Sequence, residues 1–339
     1  MTKSEFCLPS ETNVSEDALR LHDETIVWDM TLAWSEGFGD DSTLDRFRAS
    51  GIGLVSLTAM AMKCQIGPSM TYLNKVRSAI EAHPNYILVK SVGDILRAHT
   101  EGKMAVTLNF QDTRAFEDSL DNIAAFYELG VRHAGLTYNI RNLVGDGCFE
   151  RHDGGLSHYG IKVVEEMNRV GMLVDGSHCS YRTSMEAMEI SSAPVIFSHA
   201  NAAAVYDHPR NLKDDQIKAC ADNGGVIGVN GAGFYLQDSL HPVDAFFEQI
   251  DYMVSMVGSE HVGIGLDYVA DLGVFWDFMA DEPHLWPGSL DNIRENAIFL
   301  KPEELILITD KMVSHGYPHE DIRNILGRNF FRVAEQVWR

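Results

Sequence analysis

The sequence has no apolar run near the roughly 20 residues that a membrane-spanning helix needs. Its longest, such as Gly171–Val174 and Val226–Val229, fall far short. The opening stretch MTKSEFCLPSETNVSED is polar and acidic and lacks the apolar centre of a signal peptide. These features lead us to expect a cytoplasmic protein with no membrane partner. Cysteine is scarce and unpaired in pattern: Cys7, Cys64, Cys148, Cys179 and Cys220 are odd in number, scattered, and form no CxxC. That argues against a disulfide framework and against a cysteine zinc site. Positive charge is also short, with 27 Lys and Arg against 49 Asp and Glu, a net charge of −22. Such a surface repels nucleic acid and anionic lipid. No block of like charge is long enough for an acidic tail, so the charge reads as a solvated surface. Finally, the first apolar segment is followed by no glycine-rich phosphate turn, only Asp29-Met-Thr-Leu-Ala33. This disfavours a doubly wound dinucleotide-binding sheet.

What is present is a repeating pattern. Eight short segments rich in apolar or β-branched residues carry no helical period: Thr25–Ala33, Gly53–Met60, Ala105–Gln111, His133–Asn139, Gly171–His178, Pro194–Ala200, Gly224–Gly231 and His261–Tyr268. Near-continuous apolar runs of this length suit strands covered on both faces. Amphipathic stretches lie between them. In one, Leu120, Ile123, Phe126 and Leu129 recur at spacing three before Gly130, placed as a helix-ending glycine. Another runs from Ser157 to Val170 and stops at Gly171; Asp214–Ala221, Val243–Val257 and three short runs between Pro302 and Trp338 follow the same logic. Eight strand–helix cycles predict a single α/β domain over 1–339, a (β/α)₈ TIM barrel preceded by a short polar segment of about 20 residues.

In such barrels the strand C-termini and the loops after them build the active site. Those ends here carry Gln111, Tyr138-Asn139, Asp175 with His178, Ser198-His199, and Asp267. Two apolar strands ending in histidine place two neutral imidazoles where they can share one divalent metal or contact substrate. A carboxylate at Asp267 can take a proton from an activated water and pass it to a leaving nitrogen. Its bland alternative is a loop-fixing aspartate. Arg210, in the loop after the sixth segment, can clamp a substrate carboxylate, or else make a surface ion pair in an acidic protein. The histidines at 22, 83, 99, 315 and 319 fall in helices or loops away from these ends and read as packing or surface residues.

Six ordered segments resemble the renal (membrane) dipeptidase family of the amidohydrolase superfamily: Phe126–Arg132, Glu166–His178, Ala193–Asn201, Asp207–Asn211, Asn223–Asn230 and His261–Asp267. The likeness runs from about Leu21 to Trp338. It implies that His178 and His199 are zinc ligands, that Arg210 binds a substrate carboxylate, and that Asp267 is the catalytic acid/base. The front half departs from the family. Members end their first strand in Asp-Gly-His-x-Asp; here Thr31 and Ala33 stand for the two metal ligands. The bridging glutamate of the third strand is Gln111, and the residue after the fourth is Tyr138, beside Asn139. A glutamine offers a metal only a neutral oxygen. The resemblance therefore implies at most one Zn²⁺, held by His178, His199 and Gln111, in a dipeptidase-like hydrolase of a dipeptide or N-acyl amino acid. Tyr138 and Asn139 join Arg210 as candidate substrate contacts, and a homodimer is compatible with the family. Metal-free acid/base chemistry on a small carboxylate, or ligand binding without turnover, stays open. The segments Gln65–Asn74 and Leu272–Ile298 are expected as loops that shape specificity, the second as an aromatic lid or a dimer contact.

Overall fold

A computed structural model describes residues 13–35, 37–60, 65–287 and 297–339. Its strands are β1 (Val27–Ala33), β2 (Ile52–Thr58), β3 (Tyr86–Leu88), β4 (Met104–Phe110), β5 (Val131–Gly135), β6 (Leu173–Asp175), β7 (Val195–Ile196), β8 (Ile227–Asn230) and β9 (Val262–Gly265). All pairings are parallel, and the neighbours run β7-β6-β5-β4-β2-β1-β9-β8. The two ends meet where Phe197 N donates to Val226 O (3.0 Å) and Gly228 N to Phe197 O (2.7 Å). Eight strands thus form a barrel, each overlapping one of the eight predicted segments, with β2, β4 and β5 starting one or two residues earlier than expected.

β3 is the addition. Its three residues, too short to show a period, pair with the lower half of β4 (Tyr86↔Met104, Leu88↔Val106), while β5 takes the upper half (Leu108↔Val131). Helices cover the outside. Ser157 Oγ accepts from Gly160 N (2.9 Å) to open the helix His158–Val170, and Gly171 ends it in the left-handed region (φ 89°). The segment expected as a loop at Gln65–Asn74 is instead the first half of the helix Ile66–Ala82. Gly67 and Pro68 read as breakers, but a proline in the first turn forfeits only an amide that has no helical partner. Leu73, Val76 and Ile80, spaced three and four apart, bury its inner face.

The barrel interior is polar for a protein core. Asn109 Nδ2 donates to Ser56 Oγ (3.0 Å) and its Oδ1 accepts from Thr58 Oγ1 (3.0 Å), spanning β2 and β4. β9 and the segment after β7 are drawn close at one point: a β-carbon on Gly265 would stand 1.9 Å from the carbonyl oxygen of Ser198. On the other side of β9, Asp29 Oδ1 accepts from Leu266 N (2.8 Å) and from Thr31 N (3.3 Å), while Oδ2 has no partner among the described residues. Burial pushes this carboxyl up to about 8, with the two backbone amides opposing and Asp267 adding to the rise.

Asp29 therefore holds a proton in the fold that it releases on unfolding. Its contribution to stability is full below its ordinary value near 4 and is lost as pH rises to about 8. In urea titrations from pH 5 to 8, Asp29→Asn should gain on the wild type by up to about 1.4 kcal/mol per pH unit. Parallel curves would show that Asp29 is ionised in the fold.

Candidate active site

Four non-glycine residues among those described have left-handed backbone, and three stand at strand ends of one barrel mouth: Asn139 (φ 59°), His178 (φ 65°) and Asp267 (φ 53°). Such conformations persist only where surrounding bonds hold them. Asp267 N donates to Thr31 O (3.0 Å), and Cys148 N to His178 O (2.8 Å).

The two histidines converge, with Nε2 of His178 2.9 Å from Nε2 of His199. What holds each ring decides where its proton lies. Asn139 Nδ2 donates to the carbonyl of Leu285 (3.0 Å), which turns Oδ1 to His178 Nδ1 at 2.7 Å. His178 must then donate from Nδ1. Ser198 Oγ donates to Asp175 Oδ2 (2.5 Å), so it accepts from His199 Nδ1 (2.7 Å), with Thr31 Oγ1 at 3.2 Å. Asp175 Oδ1 in turn accepts from the backbone of Ser177 (2.9 Å) and Ser198 (3.0 Å). Both protons sit on Nδ1, and two Nε2 lone pairs face each other. Burial first, then the positive charge of Arg210, drives both rings well below the usual histidine range, so neither is charged at neutral pH.

Asp267 Oδ2 lies 4.0 Å from His199 Nε2 and accepts from Asn230 Nδ2 (3.1 Å); the Gln111 side chain also bonds to it. Burial raises the carboxyl to about 6, against the pull of Arg210, Asn230 and Gln111. Beneath lies His133, buried with no partner at either ring nitrogen among the described residues and lowered to about 4 by that burial. A cavity opens over the strand ends. Gln111, Tyr138, His178 and Asp267 line its floor, and Ala33 and Thr58 one side. The helix Leu272–Asp281 and the turn Pro283–Leu285 roof it, so the aromatic segment is a cover; residues 288–296 of it lie outside the described residues.

Gln111, Tyr138, Asn139, His178, His199 and Asp267 are thus brought together, as expected from the strand ends. Arg210 is placed differently from an open clamp. It is buried behind the site, where one guanidinium nitrogen donates to His199 O (2.7 Å) and Nε has no acceptor among the described residues. Asn139 spends both ends of its amide inside the protein. Sequence reading passed over Asn230 and Arg114, which lines the cavity while paired to Asp112 at 2.8 Å. Asn230 ends β8 as Asp267 follows β9, and that shared position was the available signal.

The family model described as membrane dipeptidase (Peptidase family M19) matches residues 20–280. Among curated relatives, dipeptidase verJ of Clonostachys rogersoniana is 29% identical over 79% of this chain and 65% of its own. Mouse dipeptidase 3 is 28% identical over 87% of this chain and 58% of its own. The chain therefore spans about three fifths of the length of these relatives. An amidohydrolase of Pseudomonas aeruginosa, solved as a crystal structure, superposes with a TM-score of 0.86 at 30% identity, covering 95% of this chain and 99% of that one.

The chain from Asp175 through Ser198 to His199 is open to a direct check. Ser198→Ala leaves Asp175 Oδ2 without its donor and His199 Nδ1 with only the more distant Thr31 hydroxyl. The variant should lose about 1–3 kcal/mol in chemical denaturation. Unchanged stability would mean that the serine does not bridge the two.

Proposed function

Because this chain belongs to the membrane dipeptidase family, we propose that it hydrolyses a small amide, a dipeptide or an N-acyl amino acid, with one divalent cation held between His178 and His199. The observation that carries this reading is the pair of Nε2 lone pairs at 2.9 Å. Two neutral nitrogens so placed repel unless a cation or a proton lies between them. Nδ1 protons fixed by Asn139 and by Ser198 are the arrangement in which an imidazole offers Nε2 to a metal. Zinc suits a site of two imidazoles and an oxygen, and Gln111 can supply that oxygen.

The same residues fit one cation and not two. Thr31 turns its hydroxyl to His199, and Ala33 offers only a methyl group to the cavity. Among the described residues no group of three His, Cys, Asp or Glu side chains is arranged around a common point. A bound cation supplies Lewis acidity and an acidified water. The remaining work falls to the chain. Asp267, held by Asn230, is placed to accept a proton from the attacking water and to deliver it to the leaving nitrogen. Arg210 has no carboxylate partner among the described residues, and its positive charge draws a substrate carboxylate to this end of the site. Tyr138 packs on the His178 ring, centroids 4.3 Å apart, and forms one wall. Asn139 serves to position His178.

Elemental analysis of protein purified without chelator should find about one zinc per chain. His178→Ala and His199→Ala should lose it together with at least about a thousandfold in turnover, with circular dichroism unchanged. Turnover by metal-free protein that survives chelators would instead assign the space between the rings to a shared proton, and the chemistry to acid/base catalysis alone. Gln111→Glu restores a carboxylate and should tighten zinc binding about tenfold or more. Unchanged affinity would take Gln111 out of the ligand set.

A further inference from the structure

The cavity over the site has two unlike halves. Its floor is polar, but Phe38, Phe234, Phe275, Phe278, Trp286 and Phe299 line one side of the cavity. These rings pack edge to face on one another: Phe38 to Phe278 at 6.0 Å, Phe234 to Phe299 at 5.7 Å, and Phe275 to Trp286 at 6.0 Å. They come from four separate parts of the chain and meet only here. All but Phe278 are buried. Trp286 adds a polar feature. It lines the cavity and packs on Tyr138 at 5.8 Å, yet its buried indole N–H has no acceptor among the described residues. A buried indole donor normally finds a partner, and an unpartnered one on a ring that lines the cavity points to an oxygen brought in by a ligand.

We propose that the substrate carries an aromatic or branched aliphatic side chain, which enters the ring-lined half of the cavity while a substrate oxygen accepts from Trp286 Nε1. This names the substrate class for the amide-hydrolase reading above and rests on it. A glycine-like substrate leaves these rings facing an apolar void, whereas a benzyl or isobutyl group fills it and removes its own surface from water. The indole donor sits on the cover, so the same contact that reads the substrate oxygen also holds the cover shut over it.

The test measures binding and turnover separately on full-length protein of determined metal content. By isothermal titration calorimetry, N-acetylphenylalanine should bind at least about 30-fold more tightly than N-acetylglycine. In Phe275→Ala the difference should fall below about fivefold. Trp286→Phe keeps the ring and removes the donor, and should weaken both ligands about tenfold without changing their ratio. Phe275→Leu, which preserves apolar bulk, guards against a folding defect and should retain most of the preference. Equal binding of the two ligands to the wild type overturns the proposal. So does hydrolysis of Gly-Gly as fast as both Phe-Gly and Gly-Phe, an outcome that leaves the hydrolase reading standing. A binding preference with no hydrolysis of the three dipeptides or of the two N-acetyl amino acids supports the cavity assignment and overturns the hydrolase reading.

Discussion

Two nitrogen lone pairs held face to face are the constraint on which this barrel mouth is organised. Left alone, His178 and His199 would rotate or exchange tautomers to escape the contact. Asn139 prevents it on one side, and Asp175 with Ser198 on the other. Left-handed backbone at Asn139, His178 and Asp267 aims the side chains inward from strand ends that would otherwise continue outward. Three residues in a costly conformation within one site are affordable because a barrel of parallel strands over-determines the positions of their neighbours.

The close approach of strands contributes as well. Gly265 lets β9 lie against the carbonyl of Ser198, which sets the distance between the His199 and Asp267 strand ends. Asp29 fastens β1 to the turn after β9, at the position where the family carries the first aspartate of its metal motif. The departures at Thr31 and Ala33 thus change the chemistry of that strand while leaving its fastening intact. A polar interior, with Asn109 bonded to both Ser56 and Thr58, carries this order downward from the mouth.

How far the sequence revealed this can be argued residue by residue. The eight barrel strands were legible because each is buried on both faces and so reads as an unbroken apolar run. β3 was not, since three residues carry no period, and the helix at Ile66 was masked by its Gly67-Pro68 start. Histidines closing apolar strands at 178 and 199 were legible because packing alone does not favour them there. The proton arrangement was not, because it depends on Leu285, more than a hundred residues from Asn139 in sequence, accepting one amide hydrogen. Arg210 was legible as a charge near the site. Its seat behind His199 follows from how the loop folds back, and no local pattern announces that.

The bond from Asn139 to Leu285 ties chemistry to access. Leu285 belongs to the turn that covers the cavity, and a displacement of that turn that broke the bond would leave Asn139 Nδ2 without this acceptor. An amide so released can swing end for end and present Nδ2 to His178, and the ring must then move its proton to Nε2. In that state the inward-facing nitrogen is a donor, not a lone pair. One side-chain amide thus joins the roof of the cavity to the position of the proton on His178.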